Sequence, residues 1–180
     1  MLKWLAEKGC RWRGWPVTAY AAGRGHLEVL KWATTRRGYS CATDAEYAVR
    51  GGHISILQWL YENQGHECQL LHLYAARACQ LKVLKWLKEI QSPVRWDRAC
   101  LEAIAYGQLE VLEWLLQEVG GKAMLGLAPE RIMRAAVERG NMDIIKWLSE
   151  HGCILDRPEM VYAAKVKGFT EIQKWLDETE

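Results

Sequence analysis

Phenylalanine occurs once in this chain of 180 residues, proline four times, and no two cysteines stand in a Cys-x-x-Cys spacing. The absence of such pairs leaves the six cysteines (10, 41, 68, 79, 100 and 153) without a zinc-finger or dithiol signature. Cys41 and Cys68 each fall nine residues after a tryptophan that recurs along the chain. Equivalent positions on packed helices lie about 10 Å apart, whereas a disulfide needs Cα atoms within about 7 Å. The thiols are therefore read as free, which predicts a reducing compartment, cytoplasmic or nuclear. A long apolar run is missing too. Lys3, Glu7, Lys8, Arg11 and Arg13 interrupt the first residues. No stretch approaches the roughly 20 apolar residues of a membrane span, so neither a leader nor a membrane helix is expected. A net charge of only +2 supplies no global attraction to nucleic acid or anionic lipid. There is no Gly-x-Ser-x-Gly, no paired motif histidines and no phosphate loop. Gly121-Lys122 lacks that loop's upstream glycine and its following Ser/Thr. No enzymatic activity, cofactor or metal is expected.

What is abundant is tryptophan, with ten residues, and it is periodic. Gly25-His-Leu-Glu-Val-Leu-Lys-Trp32 returns as Gly52-His-Ile-Ser-Ile-Leu-Gln-Trp59 and as Cys79-Gln-Leu-Lys-Val-Leu-Lys-Trp86. It returns again at Gly107 to Trp114, Gly140 to Trp147 and Gly168 to Trp175, and a truncated copy opens the chain at Trp4. Subtracting successive tryptophan numbers (4, 32, 59, 86, 114, 147, 175) gives spacings of 28, 27, 27, 28, 33 and 28. A fixed period in this range marks a stacked repeat protein, so residues 1–180 are read as one array that starts mid-repeat. An apolar array end is a solubility problem. The expectation is therefore a fragment, a truncated array, or an end covered by a neighbour.

Each copy reads as two short helices. Thr43-Asp-Ala-Glu46 has the form of a capping box ahead of the first helix. Gly51-Gly52 break that helix, and Ile54, Ile56, Leu57 and Leu60 give the second a wide apolar face. Gly9, Gly38, Gly65, Gly120 and Gly152 are placed to end second helices, and Pro93 is the stop in the third copy. First helices carry the small residues Ala21-Ala22, Ala48, Ala75-Ala76, Ala103, Ala135-Ala136 and Ala163-Ala164. A thin inner layer beside a bulky outer one predicts a curved stack with its concave face on the thin side. The longer link from Trp114 to Trp147 holds Gly120-Gly121, Gly126 and Pro129. It reads as a tolerated loop insertion or a partner-contacting finger, with Pro129 suited to the first turn of the next helix.

The segment Ala21-Ala22-Gly-Arg-Gly25-His26-Leu27-Glu28-Val29-Leu30-Lys31 resembles the central signature of the ankyrin-repeat family, in a short, tryptophan-bearing form, over six and a half copies. The family's Thr-Pro-Leu-His start is absent, and the unit is 27 or 28 residues against about 33 for a full ankyrin repeat. The resemblance implies an all-α helix-turn-helix solenoid with shortened or absent fingers. It also implies a binding scaffold that recognises another protein through its inner helices and inter-repeat loops.

Within the resemblance, the two positions before each Gly-His turn point into the concave groove. Five of six copies place a basic residue there: Arg24, Arg50, Arg77, Arg139 and Lys167, with Tyr106 in the remaining copy. Guanidinium groups bind carboxylate or phosphate in a two-pronged fork, so an acidic peptide or surface is the expected partner. Tyr20, Tyr47 and Tyr74 recur at 27-residue steps, as interface anchors or as fillers of a half-buried seam. The tryptophan ladder is read as packing between neighbouring outer helices. His26 and His53 sit in the turn as structural residues, and the only metal-like cluster, His66, Cys68 and His72, lacks a fourth ligand.

A second reading comes from charge placement. Residues 1–40 hold eight Lys/Arg against two Glu, while the remainder holds 16 basic against 20 acidic residues. Arg11-Trp12-Arg13-Trp15 and Arg36-Arg37 would then contact nucleic acid, for instance within an RNA-containing assembly.

Overall fold

The computed structural model describes residues 17–37, 41–64, 70–120, 129–153 and 157–178. Among them are twelve helices and no strand. The chain divides into two compact units, Met1–Leu71 and His72–Glu180. The first contains α1 (Val17–Gly23), α2 (Leu27–Arg37), α3 (Cys41–Gly51) and α4 (Ile54–Gln64). From the boundary onward come α5 (Leu71–Arg77), α6 (Leu81–Glu89), α7 (Trp96–Ala105) and α8 (Leu109–Glu118). These are followed by α9 (Pro129–Arg139), α10 (Met142–Glu150), α11 (Arg157–Lys167) and α12 (Thr170–Glu178).

One turn joins the helices of every pair. After the first helix of the pair, one residue takes a left-handed backbone conformation, and the amide of the next donates to a carbonyl five residues back. The donor–acceptor pairs are His26–Ala21 (2.8 Å), His53–Ala48 (3.0 Å), Gln80–Ala75 (2.9 Å), Gln108–Ala103 (2.8 Å), Asn141–Ala136 (3.1 Å) and Phe169–Ala164 (3.0 Å). The left-handed residue is glycine five times, for example Gly107 at φ 73°, and cysteine once, Cys79 at φ 53°. A side chain in that region costs about 1–2 kcal/mol. Glycine returns part of this as unfolded-chain entropy. Cys79→Gly should thus stabilise the protein by about 0.5–1 kcal/mol. Urea unfolding checks it: the midpoint should rise with the slope unchanged.

The alanines do more than accept these bonds. In the first unit α1 packs on α3, and in the second α9 packs on both α7 and α11. Ala19, Ala22 and Ala48 are completely buried in the first unit, and Ala99, Ala103, Ala136 and Ala164 in the second. Small side chains there let inner helices come close. The second helices supply the bulk of the core: Leu30, Ile56, Leu57 and Leu60, then Leu84, Leu112, Ile145 and Leu148.

Local details depart from the sequence reading in two places. Thr43 lies inside α3, which begins at Cys41, and so does not stand at the start of the helix. Glu46 pairs instead with Arg50 one turn on, at 2.6 Å. Asp44 of the same turn is buried and accepts a hydrogen bond from the Thr18 hydroxyl of α1; burial raises its pKa and that hydrogen bond opposes the rise. The acidic start of α3 thus ties it to α1. The third pair also ends before its proline. Gln91 is left-handed at φ 49°, and the Ser92 amide donates to the Leu87 carbonyl at 3.1 Å. Gln91 thereby takes the part that Gly152 plays after α10, two residues ahead of Pro93. Pro129, as expected, opens α9.

Candidate binding face

The C-terminal ends of the inner helices carry the residues singled out in the sequence. In the first unit Arg24 stands exposed just past α1. Arg50 is ion-paired with Glu46 and lies over the Tyr47 ring, 6.0 Å from its centroid. Tyr20 is 54% and Tyr47 36% exposed. Tyr47 passes close to Gly23, where an added Cβ would meet its Cδ1 at 3.3 Å.

The second unit gathers three of the predicted residues at one place. Arg77 and Arg139 both approach the ring of Tyr106, with guanidinium carbons 5.4 Å and 5.8 Å from its centroid. Tyr106 is 49% exposed. These residues line a recess of about 340 Å³ that Glu102, Arg131 and Glu138 also border. Arg77 donates through Nε and Nη2 to the two carboxylate oxygens of Glu102, at 2.6 and 2.9 Å. That hydrogen bonding raises the Arg77 pKa against a smaller opposing effect of burial. Arg131 and Arg139 are exposed, and neither forms an ion pair with any described residue. The recess therefore presents three guanidinium groups against two carboxylates, with one of each already matched. Tyr74 is half-buried and Lys167 exposed; neither lines the recess.

Sequence reasoning missed Glu102 and Arg131; Glu138 stands at one of the two groove positions of its copy but was not singled out. Glu102 had a signal: it falls 28 residues after Tyr74, at the position where three earlier copies have tyrosine. Arg131 lies two turns before those positions on α9, outside the pair of residues that precede the turn.

The turn residues hold successive copies together. His53 Nε2 lies 3.1 Å from the Gly23 carbonyl. Gln108 Nε2 donates to the Arg77 carbonyl at 3.0 Å, and Asn141 Nδ2 to the Ile104 carbonyl at 2.8 Å. The shorter asparagine reaches a carbonyl one position earlier in its copy's register. The bond from Gln108 also fixes the end of α5, and with it the root of the Arg77 side chain.

The described tryptophans of the recurring segment differ in burial. Trp86, Trp114 and Trp147 are buried, whereas Trp32, Trp59 and Trp175 are half-buried. Trp114 meets Trp96 edge to face with centroids 5.8 Å apart. A second recess of about 510 Å³ lies on α6 and α8 beside Trp114, but Lys88 there is already matched to Glu118 at 2.8 Å. Cys79, Cys100 and Cys153 are free thiols, and burial pushes the Cys100 pKa up to about 12. Such a thiol stays protonated and inert.

Among the described residues no group of three His, Cys, Asp or Glu is placed to hold a metal ion. His66 and Cys68 lie outside the described residues. So do Trp4, the block Arg11-Trp12-Arg13-Trp15 and most of the link after α8. No described helix is long and apolar enough to cross a membrane. No protein-family model matches the chain, and no curated protein matches it.

Proposed function

We propose that the chain is a non-catalytic protein-binding scaffold of ankyrin-like helix pairs that takes an acidic segment of its partner along the inner-helix face. The observation that carries this reading is the Arg77–Tyr106–Arg139 tier and the recess it lines. A half-exposed aromatic ring flanked by guanidinium groups offers apolar contact and charge together, as interface anchors do. The ankyrin-like solenoid is supported by one turn geometry repeated at six points and by inner helices packed on one another within each unit. Arg24 and Arg50, with Tyr20 and Tyr47, extend the same chemistry to the first unit.

Fluorescence anisotropy with a labelled hexaglutamate peptide tests the reading. Arg139→Glu should weaken binding roughly tenfold to a hundredfold, the range for losing a charged hydrogen bond and adding a like charge. Unchanged affinity would remove the groove. The rival reading is a nucleic-acid contact through the basic N-terminal residues. A labelled single-stranded RNA in the same assay decides between them: tight, steeply salt-dependent binding of RNA in preference to the peptide would favour the rival.

A further inference from the structure

We infer that Glu102 is a built-in competitor for the acidic segment, a carboxylate that occupies Arg77 until a partner with enough negative charge arrives. This rests on the binding reading above and assigns that site a threshold. Three observations meet here. The Arg77–Glu102 fork is two-pronged, at 2.6 and 2.9 Å, which is the geometry an incoming aspartate or glutamate would want for itself. The pair stands at the wall of the recess and is not sealed in the core: the two side chains are 40% and 23% exposed, so a ligand carboxylate can reach the guanidinium. Finally, Glu102 differs from every other copy. Tyrosine holds the equivalent place at 20, 47 and 74 and alanine at 135 and 163, so the position tolerates neutral side chains, and the carboxylate is not a requirement of the fold.

Glu102, in the last turn of α7, also holds Arg77, the last residue of α5, close to the Tyr106 ring. The consequence is selectivity by charge density. A single carboxylate gains only Arg131 and Arg139, while a run of acidic residues also displaces Glu102 and gains Arg77. Removing the Glu102 charge while keeping its shape should open Arg77 to weaker ligands.

The test compares hexaglutamate binding by the full chain with and without Glu102→Gln, at low and high salt. Affinity should rise roughly three- to tenfold at low salt, the range for removing one like charge at a partly solvated site, and the gain should shrink at high salt. Glu102→Tyr, which puts the residue of the three preceding copies in its place, should give a gain of the same sign. Arg77→Gln should cost far more affinity in the Glu102→Gln background than alone, the coupling expected if the released guanidinium carries the gain. Glu138→Gln, at the same recess, is the comparison for a general charge effect. An equal gain from Glu138→Gln, or a loss or no change with Glu102→Gln and Glu102→Tyr, overturns the inference. If Arg139→Glu weakens binding while the Glu102 variants gain nothing, only the competitor fails. If Arg139→Glu has no effect either, the binding reading fails with it.

Discussion

Replacing Trp114 with alanine should destabilise the second unit by about 3–5 kcal/mol. Trp114 is 8% exposed and sits at the centre of α8 with Val111, Leu112 and Leu115 buried around it. Its loss removes a large apolar surface from the core and leaves a void that short helices close poorly. The edge-to-face contact with Trp96 disappears as well, and such pairs contribute about 0.5–1.5 kcal/mol beyond their area. Trp175, at the same point of its own copy but half-buried, is the internal comparison. Trp175→Ala should cost much less. Urea unfolding followed by far-ultraviolet circular dichroism measures both. A loss for Trp114→Ala no larger than for Trp175→Ala would mean that the indole row is not a packing feature.

The second large effect belongs to a turn. Gly25 has φ 78°, and an added Cβ there would lie 2.8 Å from His53 Cε1 and 2.9 Å from Nδ1. Gly25→Ala therefore brings two costs. The left-handed conformation costs about 1–2 kcal/mol for any L side chain. In addition the His53 ring must move, and Gly51 closes its other side, since a Cβ on Gly51 would be 2.5 Å from His53 Cδ2. The bond from His53 to the Gly23 carbonyl is then lost, about 0.5–1.5 kcal/mol more. The expected total is about 2–3 kcal/mol. Gly168 has φ 76° and nothing within 4 Å of its added Cβ, so Gly168→Ala should show the conformational cost alone. Equal losses at the two positions would mean that the ring has room to yield.

The helix pairs were legible because their turn is written in local chemistry. A glycine follows an alanine-rich stretch, and the same amide-to-carbonyl bond closes each turn. Cys79 could be aligned with those glycines from the sequence, but its left-handed conformation shows only in the backbone. The Thr43 box was misleading because capping chemistry and helix-interior chemistry use the same residues. Asp44 turned out to serve a neighbouring helix, a tertiary contact that no local window contains. The basic residues of the candidate face could be picked out by register alone. Their grouping could not: Arg77, Tyr106 and Arg139 meet because side chains 29 and 33 residues apart lean toward one ring. The carboxylate that Arg77 binds, Glu102, differs from the tyrosine of the three earlier copies and the alanine of the two later ones, and its pairing across 25 residues shows only in the fold.

The bonds from His53, Gln108 and Asn141 all end on main-chain oxygen. An acceptor of that kind is present whatever side chain its residue bears. Three chemically different donors already share one socket design, so neighbouring modules need no matched pair of residues at this joint. Duplication, excision or shuffling of a module would leave the fastener intact on both sides of the cut. Phe169 lacks a polar tip and instead lays its ring against Gly140, so the junction it makes would not interchange freely with those three.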